Sequence, residues 1–242
     1  GSVAAHASRA VMGCDYDVVV LVGPSHYEAF EGVAVYAGGS FETPLGRVVV
    51  DAGRAERLLT TSSVIEHPTA HTREHALEMQ LPFLQRVLPD VAIVPLLIGE
   101  QERVTILELA AALVETCSDF KTLLVASTDL SHYFDAKRAA ALDQTVIDCV
   151  ARFDAEALLT QFEQYPRHER GRYVACGGGA AVAVMRAAAT MGAREARVLQ
   201  YADSGDVSGD KSAVVGYLAA VLGRFHGGSP KRAGAPSPSS PW

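Results

Sequence analysis

The sequence predicts an α/β fold, a three-layer α/β/α sandwich whose mixed, largely parallel sheet has helices on both faces. Two observations predict it. Short apolar runs rich in β-branched residues, typical of buried strands, recur along the chain. Between them lie longer stretches in which apolar residues recur at helical spacing. Strands that alternate with helices in this way form a sheet covered on both faces.

The first half of the chain alternates between the two patterns. Its elements are expected, in chain order, as a helix at 2–13, strands at 17–22 and 46–50, helices at 52–59 and 74–87, and a strand at 91–97. The strand at 17–22 is a nearly continuous apolar run, which Gly23 and Pro24 end. In the helix at 74–87, Leu77, Leu81 and Leu84 share one side, and Pro82 should kink or split it.

The second half continues the alternation. Its elements are expected as a helix at 102–117, a strand at 121–127, helices at 136–153, 155–162 and 178–191, and strands at 198–202 and 212–222. The helix at 102–117 carries Ile106, Leu109 and Leu113 on one stripe. We expect one domain over residues 1–225. The tail at 226–242 is mostly Gly, Ser and Pro, so we expect it to be disordered.

Composition excludes several classes of function. The net charge is −7, from 21 basic and 28 acidic residues, which argues against a nucleic-acid partner. The longest apolar stretch, 213–222, is too short for a bilayer span of about 20 residues, and we expect no membrane partner and no signal peptide. The four cysteines form no CxxC pair, which is typical of reduced thiols in a cytoplasmic protein: Cys14, Cys117, Cys149 and Cys176.

Reactive side chains follow two of the predicted strands. His26 comes directly after the strand at 17–22, and Asp129 and His132 follow the strand at 121–127. In α/β sheets, ligands bind beyond the carboxyl ends of the strands, so these placements favour a functional site. Each residue also has a plain structural interpretation, since His26 suits a turn and Asp129 suits a helix N-cap.

Cys176 and a series of histidines complete the candidates. Cys176 precedes three glycines at the start of a helix, where the helix dipole stabilises a thiolate. The glycines could instead cradle a phosphate, although the Lys and Ser/Thr of a P-loop are absent. His67, His71 and His75 recur every four residues, as on a zincin helix, but Pro68 argues against a helix there.

Two histidines from different segments and one anionic ligand would suit a reactive metal centre. The anionic ligand could be Cys176 or Asp129. His132 could then serve as an acid or base.

Six blocks of the sequence resemble the Memo family, called AmmeMemoRadiSam system protein B in bacteria and archaea. In order, they are GPSHY, EHALEMQLPFLQ, VPLLIG, ASTDLSHY, CGGGA and YADSGDVSGDKSAVVGYLAAVL, spread over about residues 1–223. The resemblance implies the fold of class III, LigB-like extradiol dioxygenases. It also implies a metal site formed by His26, His75 and Cys176, with Asp129 and His132 beside it.

Two departures from the family pattern concern the wall of the site. Relatives carry a first strand ending in PHAGY, whereas this sequence opens with residues that match the stretch after it. The resemblance therefore implies an N-terminally truncated domain with an unpaired sheet neighbour. Tyr27 stands where many relatives have a second histidine.

These observations lead to three functional hypotheses. The first is a metal-binding, dioxygenase-like oxidoreductase with iron, or else copper or zinc, as its cofactor. The second is a non-catalytic adaptor module with a small-molecule or peptide ligand in the cleft. The third is a zinc hydrolase or thiol enzyme that uses Cys176. The bacterial family name also implies a functional link to radical-SAM and AMMECR1-type proteins.

Overall fold

The structure is a computed structural model in which residues 1–118 and 121–225 are described. It confirms the α/β fold with a mixed, largely parallel central sheet and flanking helices. The tail at 226–242, expected to be disordered, lies outside the described residues.

The strands belong to three sheets. In chain order they are Val18–Pro24 (β1), Val33–Val35 (β2), Ser40–Thr43 (β3), Gly46–Val49 (β4), Val64–Glu66 (β5), Ala92–Ile98 (β6), Thr122–Ala126 (β7), His132–Phe134 (β8), Glu195–Asp203 (β9) and Val214–Gly223 (β10). The central sheet has the order β5-β2-β6-β1-β7, a second sheet the order β8-β10-β9, and β3 and β4 form a hairpin.

The helices cover the sheets and connect their strands. In chain order they are Ser2–Ala10 (α1), Ala52–Leu58 (α2), Pro68–Thr72 (α3), Leu81–Val87 (α4), Arg103–Cys117 (α5), Ala136–Ala151 (α6), Ala155–Glu163 (α7), Arg167–Tyr173 (α8), Gly178–Thr190 (α9) and Gly205–Ser208 (α10). Within the described ranges, no single helix has the length and apolar composition needed to cross a bilayer; α8 and α9 meet those criteria only as a pair, bent by 77°.

Strand β1 lies in the middle of the core. It pairs in parallel with β6 on one side and β7 on the other, and all seven of its residues are buried. Its side chains alternate between faces: Val18, Val20 and Val22 pack into one buried cluster, whereas Val19 and Leu21 pack into another. Burial on both faces explains why this strand is a continuous apolar run.

The last two strands do not join the parallel sheet. β9 and β10 pair antiparallel, and β10 also pairs with β8. A connection as short as 204–213 cannot make the crossover that parallel pairing requires. Both strands were predicted from the sequence, but their separate sheet was not.

Two strand edges face a common cavity of about 1300 Å³. Along it lie all of β7 and residues 217–223 of β10, and α1 and α9 also contribute to its walls. Helix α9 contacts both strands, and α1 packs on β10. Within the described residues, the outer edge of β7 has no strand partner.

The helix expected at 74–87 is wrong in its first half. Ala76 and Leu77 form a turn, Glu78–Gln80 form one turn of 3-10 helix, and α4 begins only at Leu81. The segment is thus split, as one of the two effects expected of Pro82; Pro82 itself lies in the first turn of α4, where a missing N–H costs nothing. The expectation that Pro68 prevents a helix was wrong for the same reason, because α3 begins at Pro68.

Asp143 of α6 connects the second sheet to the segment that carries Asp129 and His132. Its side chain is fully buried, where it accepts hydrogen bonds from the Ser131 N–H at 2.9 Å and the Tyr201 hydroxyl at 2.8 Å. A Cβ at position 216 would lie 1.9 Å from Asp143 Oδ2, so Gly216 is needed for this approach.

We expect Asp143→Ala to lower the free energy of unfolding by about 2–4 kcal/mol, because it leaves the buried N–H of Ser131 and the half-buried hydroxyl of Tyr201 without acceptors. Tyr201→Phe, which removes one of the two bonds, should cost about 1 kcal/mol. Urea unfolding of both variants beside the unmodified chain measures the difference. An unchanged midpoint for Asp143→Ala would contradict this role.

Candidate metal centre

The candidate site lies at the carboxyl ends of β1 and β7. His26 follows β1, Asp129 follows β7, and Cys176 precedes α9; all three line the cavity described above. His26 and Asp129, which the sequence placed beyond the carboxyl ends of two strands, therefore lie at the same edge of the sheet. Cys176 joins them because α9 packs against β1 and β7.

Cys176 contacts the loop after β7. Its Sγ accepts a hydrogen bond from the Asp129 N–H at 3.2 Å, and Thr128 Oγ1 lies 3.7 Å away. The Gly177 N–H donates to Thr128 Oγ1 at 2.8 Å. A Cβ at position 177 would lie 2.6 Å from the Ser127 carbonyl oxygen, so glycine is what lets the loop reach the helix.

The three glycines do not form a phosphate cradle. The N–H groups of Gly177, Gly178 and Gly179 donate to Thr128 Oγ1, the Ala175 carbonyl and Gln101 Oε1, respectively. A Cβ at Gly178 would meet the Phe162 ring at 2.5 Å. These glycines therefore serve close packing, and their amides are already occupied by acceptors of the protein.

Asp129, His132 and Cys176 form a cluster of side chains that could ligate a metal. One potential ligand atom from each lies within 4.8 Å of the others, and this is the one such group of three among residues 1–118 and 121–225. His132 Nε2 is 3.8 Å from Asp129 Oδ2. Burial raises the pKa of the Asp129 carboxyl, while positive charge on His132 and His26 opposes the rise.

His26 lies near Cys176, which raises the pKa of its imidazole. Its Nδ1 lies 3.0 Å from Glu74 Oε1. Hydrogen bonds to Cys176 and then Glu74 raise the pKa of His26 to about 10, despite partial burial. Burial alone would raise the pKa of Glu74, yet its hydrogen bonds with His26 and Ala76 lower it to about 2.

His75 lies at the rim of the same cavity. Its side chain is 63% exposed, its Nδ1 lies 2.6 Å from Glu78 Oε1, and its ring meets Tyr27 edge-on at 6.2 Å. It is not part of the donor group within 4.8 Å. The resemblance assigns three residues to the metal. Of these, His26 and Cys176 are neighbours, whereas His75 is not in the cluster that contains Cys176.

The regularly spaced histidines do not form a local metal site. His67 pairs with Glu28 at 3.2 Å, whereas His71 is buried beside Tyr36. Burial lowers the pKa of His71 to about 4, and its Nε2 has no hydrogen-bond partner in the described part of the chain. His71 is therefore a neutral core residue.

Glu74 is a residue of the site that the sequence did not reveal. Its side chain is 2% exposed and contacts His26, 48 residues away. The only sequence signal was its position next to His75, and an acidic residue before a histidine is more often solvated.

The donor set fits a divalent transition metal. A thiolate, imidazoles and a carboxylate are the ligands that zinc and iron accept in proteins. Asp129 and Cys176 are both anionic when they ligate, and a cation would neutralise them in a half-buried setting.

Comparisons with known proteins agree with one another. The family model described as "Memo-like protein" matches residues 1–221. A MEMO1 family protein of Thermotoga petrophila is 38% identical over 207 residues, which cover 85% of this chain and 71% of that protein. MEMO1 family protein MK0963 of Methanopyrus kandleri is 36% identical over 229 residues, covering 93% and 79%.

A solved structure supports the fold alone. It is that of uncharacterized protein JW3007 from Escherichia coli K12, which is 13% identical with a TM-score of 0.56. The match covers 83% of this chain and 86% of that one.

The burial of neutral His71 makes stability depend on pH. Because its folded pKa of about 4 lies below the ordinary value of 6.5, the unfolded chain binds a proton first as the pH falls. We expect this residue to remove up to about 3 kcal/mol of stability between pH 6.5 and 4.

His71→Asn keeps a donor in place of Nδ1 and removes the titrating group. Urea unfolding at pH 7 and pH 4.5 should therefore show a smaller loss in this variant than in the unmodified chain. Equal losses would show that His71 is not held neutral.

Proposed function

The chain belongs to the Memo-like protein family, and from that membership we propose that it binds one divalent metal ion beside Cys176 and acts as a non-haem-iron, dioxygenase-like oxidoreductase. One observation carries the proposal. The Sγ of Cys176 lies within 4.8 Å of a ligand atom of Asp129 and of one of His132, and His26 lines the same cavity.

In this proposal His26, His75 and Cys176 hold the metal. His26 and His75 each have Nδ1 bound to a glutamate, which leaves Nε2 as the ligand atom. The distances also favour a second arrangement, in which Asp129, His132 and Cys176 are the ligands. Cys176 is common to both.

The remaining residues have roles that follow from their contacts. Iron, when bound, would supply one-electron redox chemistry that no side chain of the cluster provides. Asp129 Oδ2 and His132 Nε2 lie 3.8 Å apart, and in the proposal these two groups give a proton to a bound ligand or take one from it. Apolar side chains such as Leu124, Met185 and Leu218 line the adjoining cavity.

Metal analysis of alanine variants tests the proposal. We expect about one equivalent of divalent metal per chain after anaerobic purification with iron, and loss of that metal in His26→Ala, His75→Ala and Cys176→Ala. Asp129→Asn and His132→Ala should keep the metal and lose oxygen consumption with a catechol or thiol substrate.

The opposite pattern would assign the metal to the second arrangement. Metal retained by Cys176→Ala and by every other variant would contradict both arrangements. Metal binding without any oxygen consumption would favour the non-catalytic adaptor.

A thiol enzyme is the second candidate, because Glu74, His26 and Cys176 stand in the order of acid, base and nucleophile. The two candidates differ in the accessibility of Cys176. If the thiolate binds metal, iodoacetamide should label Cys176 slowly until a chelator is added. Peptide mass spectrometry locates the label, with exposed Cys14 as the internal control. Fast labelling of the metal-loaded chain would favour the thiol enzyme.

A further inference from the structure

Three histidines of the candidate site share one hydrogen-bonding pattern. His26 Nδ1 lies 3.0 Å from Glu74 Oε1, His75 Nδ1 lies 2.6 Å from Glu78 Oε1, and His132 Nδ1 lies 3.1 Å from the Gly171 carbonyl oxygen. Each partner is a carboxylate or carbonyl oxygen, which can only accept, so each Nδ1 carries the hydrogen. In His26 and His75 this leaves the other nitrogen, Nε2, for a ligand, whereas His132 Nε2 lies 3.8 Å from Asp129 Oδ2.

The three acceptors differ in how firmly they are held. The Glu78 side chain is 49% exposed, so its bond to His75 competes with water. The side chain of Glu74 is 2% exposed, so its bond to His26 is shielded from water. An acceptor held in a buried, fixed position orients its histidine far better than one on the surface.

Glu74 also connects two separate loops. Its Oε2 accepts the His26 backbone N–H at 2.6 Å, and its Oε1 accepts the N–H groups of His75 and Ala76, each at 2.9 Å. One carboxylate thus binds the loop after β1 to the turn before α4. These two segments carry His26 and His75.

We propose that Glu74 is the positioning residue of the metal site, which holds the hydrogen of the His26 ring on Nδ1, leaves Nε2 free to ligate, and sets the separation of the loops that carry His26 and His75. The inference rests on the proposed metal-binding function. Outer partners of metal-bound histidines typically contribute 10–100-fold in metal affinity. Glu74 acts through the histidines and does not itself bind the metal.

The test compares Glu74→Gln with Glu78→Gln, a matched control that removes the same charge from the exposed partner of His75. Zinc affinity is measured on the 242-residue chain by competition with a chromogenic chelator. The absorption spectrum of the cobalt-saturated protein reports ligand geometry, and the melting temperature of the metal-free protein reports folding.

We expect Glu74→Gln to weaken zinc binding 10–100-fold and to change the cobalt spectrum, while Glu78→Gln weakens binding less than about threefold. Glu74→Asp, which keeps the charge on a shorter side chain, should recover part of the affinity. A purely structural glutamate would lower the melting temperature and leave the affinity and the cobalt spectrum unchanged, which would overturn the inference.

The outcomes separate this inference from the function on which it rests. If the unmodified chain binds neither zinc nor cobalt, the proposed function fails. If it binds both metals and Glu74→Gln binds them equally well with the same spectrum, the positioning role fails alone. Failure of both Glu74 variants to fold would also overturn it, because Glu74 would then be a structural residue.

Discussion

Burial of β1 on both faces is the constraint on which the rest of the structure depends. Parallel neighbours on both sides leave this strand no exposed edge, so its sequence must be apolar until it leaves the sheet. Gly23 and Pro24, which were expected to end the strand, still belong to it and pair with Leu97 and Ile98, and the first titratable side chain after them is His26. Because β7 runs parallel to it, Asp129 emerges at the same end. The site is thus a direct consequence of how two strands pair.

The parts of the fold that were predictable from the sequence are those with a strong local pattern. The apolar runs of β1, β6 and β7 and the long helices α5 and α6 were found within a few residues of their ends. Strands of three or four residues, such as β2 and β5, have too few positions to show a period. At 74–77 the spacing of leucines predicted a helix, but the Glu74 carboxylate binds two of the N–H groups and holds a turn.

The candidate site was predictable in its residues more than in its geometry. The strand-end rule pointed to His26, Asp129 and His132, and Cys176 was a candidate from its place at a helix start. The family resemblance then chose His26, His75 and Cys176 as the ligand set. Family and fold are confirmed, whereas metal binding stays a prediction. The hydrogen bond between Cys176 and the Asp129 N–H, and the contacts of Glu74 with His26, join residues 47 and 48 positions apart. Such pairings depend on how loops meet, and no pattern within one sequence encodes them.

The cavity between β7 and β10 has a consequence for partial unfolding of the protein. In the described residues, no strand ladder crosses from the central sheet to the second sheet. The segment 127–131 carries backbone hydrogen bonds to both, through Ser127 to Val22 and through Leu130 and Ser131 to Gly216. Units that unfold cooperatively usually coincide with hydrogen-bonded ladders. Each of the two sheets is therefore expected to unfold as a separate unit. Amide hydrogens of β9 and β10 can then exchange with solvent while those of β1 and β6 stay protected. The segment that joins the two sheets is also the one that carries Asp129, so a separation of the sheets would displace a residue of the site.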